Sequence, residues 1–168
     1  MAGESIELMQ PSLQALIDAK VVPNDGYHVV VCDPWYTQRQ GDSHTQREWE
    51  KQGILIQQSY GPNTILREGG EITPFNLNAR SKAYRSWKYG ASTRQLMQNR
   101  PFTLEPSDTI YFGSVVREGM CVAVSGLPPD YDEMLSGWII DAWLAKWRVQ
   151  VEQAGFKHYQ GFVEGDGH

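Results

Sequence analysis

Apolar and polar positions along the chain switch between two periods. Ile6, Met9, Leu13, Leu16 and Ile17 are spaced by three and four, which predicts an amphipathic helix over residues 5–20, interrupted or restarted at Pro11. After the turn cluster Pro23-Asn24-Asp25-Gly26, the run Tyr27-His28-Val29-Val30-Val31-Cys32 predicts a strand, closed by Asp33-Pro34. Further on, two β-branched and aromatic runs between residues 109 and 126 flank Arg117-Glu118-Gly119, the pattern of a β-hairpin. Pro128-Pro129 forbids more strand, and Asp130 followed by Glu133 predicts a helix start of the capping-box type.

Two more helices lie in the middle. Thr73-Pro74 supplies an N-cap and a first helical position for a helix over residues 75–89, with Phe75, Ala79 and Ala83 on one stripe. Arg80, Tyr84 and Trp87 share a neighbouring stripe, with Lys82 and Arg85 close by. Residues 92–98 predict a short helix that Asn99-Arg100-Pro101 ends. Between residues 35 and 73 the chain is polar, with aromatics at Trp35, Tyr36, Trp49 and Tyr60 and short strands expected over 54–59, 64–67 and 71–73. A connection so long and so aromatic is expected to be an ordered loop covering something.

The final helix, expected over residues 130–154 with Gly155 as its stop, is apolar nearly all round: Leu135, Trp138, Ile139, Ala142, Trp143, Leu144, Ala145 and Trp147 exceed one face. One side is expected on the sheet and the other on a second subunit, which predicts a homo-oligomer through this helix.

Length and composition narrow the class. At 168 residues and 19.1 kDa the chain reads as one domain over 1–155, with an insertion over 35–73 and a flexible tail over 156–168. Fifteen Lys and Arg against 20 Asp and Glu give a formal charge of -5, which disfavours nucleic acid and anionic membranes as partners. Cys32 and Cys121 fall in expected strands and in no metal or redox spacing. The absence of a basic and apolar leader or a membrane-length run makes the cytoplasm the default location.

Several residues could carry chemistry. His44, in Gly41-Asp42-Ser43-His44-Thr45, reads as general base or metal ligand, and equally as an exposed loop histidine. Arg80, Lys82 and Arg85, with Tyr84 and Trp87 nearby, could hold an anionic group and a planar body, or form an ordinary solvated basic face. Asp132 and Glu133 could close a pocket beside Ser125-Gly126, or complement the dipole of the last helix. No nucleotide fingerprint is present.

Two segments resemble a known family. Asn78-Ala79-Arg80-Ser81-Lys82-Ala83-Tyr84, and Val116-Arg117-Glu118-Gly119-Met120-Cys121-Val122-Ala123-Val124-Ser125-Gly126 followed by Asp132-Glu133, look like the GlcG family of haem-degrading or haem-binding domains. That family also includes the HbpS proteins and the C-terminal domain of PduO. The resemblance implies an α+β, profilin-like layered fold, an antiparallel sheet of about five strands with helices on its faces, and symmetric oligomers. No cofactor is expected, and the resemblance leaves haem possible. The chain differs from the family at Tyr111-Phe112-Gly113-Ser114, at Arg85-Ser86 and in the long insertion, all around the expected pocket. The resulting expectation is a small-molecule-binding protein, leaning to a cofactor-independent hydrolase, lyase, isomerase or cyclase acting on a small aromatic or carboxylate compound. Its catalytic set would be His44, Arg85 and Asp132. The binding set would be Tyr36, Arg80, Tyr84, Tyr111, Ser125 and Glu133. The alternative is a haem- or tetrapyrrole-binding accessory protein without catalysis.

Overall fold

Strand β1 (Tyr27–Cys32) has no exposed side, because all six of its residues are buried, and that places it inside a sheet covered on both faces. The computed structural model describes residues 2–22, 26–34, 36, 45–66, 72–105 and 108–153. In chain order the elements are α1 (Ala2–Asp18), β1, the short α2 (Gln46–Trp49), β2 (Ile54–Tyr60), β3 (Thr64–Leu66), β4 (Ile72–Pro74), α3 (Phe75–Tyr89), α4 (Thr93–Asn99), a 3-10 turn (Pro101–Thr103), β5 (Ser114–Arg117), β6 (Met120–Ser125) and α5 (Pro129–Gln153). The fold is α+β. Its antiparallel sheet has the order β2-β1-β6-β5 and four strands, and β3 and β4 pair with each other in a separate ribbon.

Alternation along the two central strands divides the interior. Val29, Val31, Val122 and Val124 point to one face, where Ile6 and Leu13 of α1 and Leu135, Ile139, Ile140 and Trp143 of α5 cover them. Val30, Cys32, Cys121 and Ala123 point to the other, against Ala79, Ala83 and Tyr84 of α3. Alanines on the helix and small side chains on the strands bring α3 close to the sheet, as its stripe of small residues predicts.

Local chemistry explains most boundaries and some departures. The hairpin turn is only Glu118-Gly119, both with positive φ (50° and 79°), which matches a type I′ turn, and Arg117 pairs with Met120 in the ladder. Helix α1 runs through Pro11 without a break. Pro74 ends β4 and is itself the N-cap of α3 rather than its first helical position. Ser92 caps α4 in a reciprocal box with Gln95. The box expected from Asp130 to Glu133 is replaced: both carboxylates hold Arg94, and Asp132 between them accepts from the Leu127 amide at 3.0 Å.

Two expectations change. The segment read as an insertion supplies β2, the sheet's edge strand beside β1, and Trp49, which is fully buried on the α3 face. The second side of α5 is covered by α1 of the same chain, since both helices share one core. That cover is partial, since Trp138 and Ala142 are only half-buried and Ala145 is exposed. Trp147 and Val149, 39% and 50% exposed, remain outward on the last turns. No helix of the described residues is long and apolar enough to cross a membrane.

Candidate functional site

Around the end of β6, helices from opposite faces of the sheet touch. The Lys82 ammonium of α3 donates to the Asp132 carboxylate of α5 at 2.8 Å and to the Val124 carbonyl at 2.9 Å, and neither side chain is more than 2% exposed. Burial pushes the Lys82 ammonium below its ordinary value, against the pull of Asp132. Burial likewise lifts the Asp132 carboxyl to about 7, although Lys82 and the Leu127 and Gly126 amides pull it down. Gly113 passes so close that a Cβ there would lie 2.5 Å from the Asp132 Cβ and 2.9 Å from the Lys82 Nζ. Buried this way, the pair ties α3 to α5 and presents no face to a ligand.

One turn further along α3, a hydroxyl cluster ties the helix to β5 and α4. Ser86 and Ser114 hydroxyls lie 2.6 Å apart, Ser114 donates to the Thr93 hydroxyl at 2.9 Å, and that hydroxyl accepts from the Gly113 and Ser114 amides. It holds in place the start of β5, which forms one rim of the neighbouring cleft.

That cleft, about 410 Å³, opens between the C-terminal half of α3, the end of β1 and the β5–β6 hairpin. Tyr36 stacks on Trp87 with ring centroids 5.5 Å apart and planes 15° from parallel, and the Trp87 indole N–H donates to the Tyr36 carbonyl. Behind Trp87 the aromatic chain continues through Tyr84, 6.1 Å away, to buried Trp49. Lys88 lines the same cleft, its ammonium 5.5 Å from the Tyr84 and Tyr89 rings and 3.6 Å from the exposed Glu105 carboxylate. Asp33 and Val116 complete the walls, and the thiols of Cys32 and Cys121 lie at the floor.

The expected site residues separate. Tyr36 lines this cleft, and Tyr84 is the buried ring behind Trp87. Arg85 is buried beneath the segment before β5; its Nη2 pairs with Asp108, its Nη1 lies 3.8 Å from Glu105, and its Nε has no acceptor among the described residues. Arg80 faces the sheet edge, donating to Gln57 at 3.0 Å with Glu50 3.7 Å away. Tyr111 is half-buried in the segment leading into β5, where its amide donates to the Thr109 hydroxyl. Ser125 is buried at the end of β6, opposite His28. Glu133 lines a polar cleft with Arg94 between α4, β5 and α5. Arg85 and Asp132 thus bind different partners, and His44 lies outside the described residues, as does Trp35.

Lys88 and the two cysteines carry no site role in the sequence reading, and the expected cationic group divides, with Lys82 meeting Asp132 inside the fold and Trp87 lining the cleft. The signal for Lys82 was present: a lysine beside Ala83, on a stripe turned to the sheet, has to meet a buried acceptor. The cleft had no such signal, because Tyr36 and Trp87 are 51 residues apart.

Among the described residues no three His, Cys, Asp or Glu side chains converge as a metal site. Comparison of the chain with family models, with curated proteins and with solved structures finds no significant match.

Proposed function

We propose that this protein binds a small planar carboxylate compound in the cleft between Trp87 and the β5–β6 hairpin, within a GlcG-like, profilin-like layered fold. The observation that carries the reading is the near-parallel Tyr36–Trp87 stack on the wall of a cleft that Lys88 also lines. A flat apolar body gains from an aromatic wall and a carboxylate from a nearby cation, the usual division of labour in a small-molecule pocket. Support for the family reading comes from the contact between its two anchor segments, Lys82 of the first meeting Asp132 and Val124 of the second.

Asp33 and Lys88 flank the same cleft, and that juxtaposition favours one second reading, in which the bound compound is converted by acid–base chemistry without a cofactor, as a lyase, hydrolase, isomerase or cyclase would do. Titration of the protein with benzoate and 2-naphthoate, followed by tryptophan fluorescence, tests the binding claim. Saturable quenching is expected, with no response to the matching neutral amides. Lys88→Met should weaken it roughly tenfold, the effect of one charge-assisted contact. A response equal for acids and amides would remove the carboxylate from the account. A stoichiometric Soret shift with haemin would replace it by the haem reading. Product signals on long incubation would distinguish conversion from binding.

A further inference from the structure

The floor of the cleft holds the chain's two cysteines, and they converge. The β1–β6 ladder ends at Val31 and Val122, and Cys32 and Cys121, the next residue of each strand, both lie on the α3 face. Both thiols point at one atom: Cys32 Sγ lies 3.9 Å and Cys121 Sγ 3.7 Å from the Ala83 carbonyl oxygen, and the two thiols interact with each other. Neither is in a disulfide, and both line the cleft that opens to the surface beside Asp33 and Tyr36. That shared carbonyl sets the two sulfurs side by side on a support built from β1, β6 and α3.

From this convergence we propose that Cys32 and Cys121 form a two-sulfur site for a soft monovalent cation, copper(I) by chemical class. Soft thiolate ligands select copper(I), and a cation satisfied by two donors suits a floor where no third His, Cys, Asp or Glu joins the group among the described residues. Binding forms two copper–sulfur bonds and releases two thiol protons to solvent, with no change of oxidation state, so apparent affinity rises with pH. The site is independent of the ligand assigned to the aromatic wall, and the apo protein without any carboxylate tests it.

The experiment is an anaerobic competition between the full chain and the chromophoric copper(I) chelator bicinchoninate. One equivalent of copper(I) per chain should be withheld from the chelator, and that equivalent should be lost in Cys32→Ser and in Cys121→Ser, each checked for native circular dichroism. X-ray absorption on the wild-type complex should fit two sulfur neighbours, a readout that holds even where a variant fails to fold. The proposal is overturned if the wild-type protein surrenders all its copper, if either single variant keeps its equivalent, or if the spectrum requires nitrogen or a third sulfur.

Discussion

The Lys82 ammonium and the Asp132 carboxylate meet at 2.8 Å with exposures of 0% and 2%, although their helices lie on opposite faces of the sheet. Removing one partner leaves the other charge buried without compensation, a loss of about 3–5 kcal/mol. Asp132→Ala is expected to destabilise by that amount in urea unfolding. The double replacement Lys82→Met with Asp132→Leu should recover part of it, since an apolar pair avoids the desolvation of both charges but leaves the Leu127 amide and the Val124 carbonyl without these partners. A single variant as stable as wild type would mean the pair holds nothing together.

The same pair sets a pH signature. Burial places the Asp132 carboxyl at about 7 in the folded chain, against 3.8 for a free aspartate. The folded state then keeps a proton that the unfolded chain releases between those values. This group's stabilising contribution is complete below about pH 4 and is lost as pH rises through about 7. Lys82, lowered from 10.5 chiefly by burial, acts in the opposite sense: its contribution is present above 10.5 and is lost as pH falls through its folded value. Urea midpoints measured from pH 4 to pH 7 should show the wild-type advantage over Asp132→Asn shrinking with pH. A constant difference would contradict the assignment.

Gly113 has φ of 146°, and a Cβ there would meet the Asp132 Cβ, the Lys82 Nζ and the Val124 carbonyl within 3 Å. Gly113→Ala combines backbone strain with overpacking, and about 2–5 kcal/mol of destabilisation is expected. A thermal melt unchanged from wild type would show that the β5 entrance can shift aside.

Ser114 is the hub of the hydroxyl cluster, accepting from the Thr93 amide at 3.1 Å while bonded to Ser86 and Thr93 hydroxyls. Ser114→Ala strands a buried N–H and should cost about 1–3 kcal/mol. Hydrogen exchange at the Thr93 amide reports it directly: faster exchange is expected, and unchanged protection would count against the cluster.

How much was readable in advance follows the range of each interaction. The hairpin, α3 and α5 depend on neighbours in sequence, so alternation, small-residue stripes and the Pro128-Pro129 break located them within a few residues. Strand β2 was visible as Ile54-Leu55-Ile56, but its polar end, Gln57-Gln58-Ser59, hid the fact that it pairs with β1 rather than decorating a loop. The all-round apolar surface of α5 signalled double coverage correctly, yet periodicity cannot say that the second cover is α1. The candidate site was the least legible part. Arg80, Tyr84 and Arg85 were grouped by helical spacing, whereas tertiary partners send Arg80 to Gln57 and Arg85 to Asp108 and leave Tyr84 behind Trp87. The convergence of Cys32 and Cys121 on the Ala83 carbonyl needs contacts that only the folded chain supplies.

In the proposed function the Tyr36–Trp87 wall and Lys88 receive a planar carboxylate. Amide chemical-shift mapping of isotope-labelled protein during a 2-naphthoate titration tests it most directly. The account predicts saturable shifts concentrated at Asp33, Tyr36, Trp87, Lys88 and the Glu118-Gly119 turn, abolished in Trp87→Ala. Shifts centred instead on Arg94 and Glu133, or none at saturating naphthoate, would contradict it.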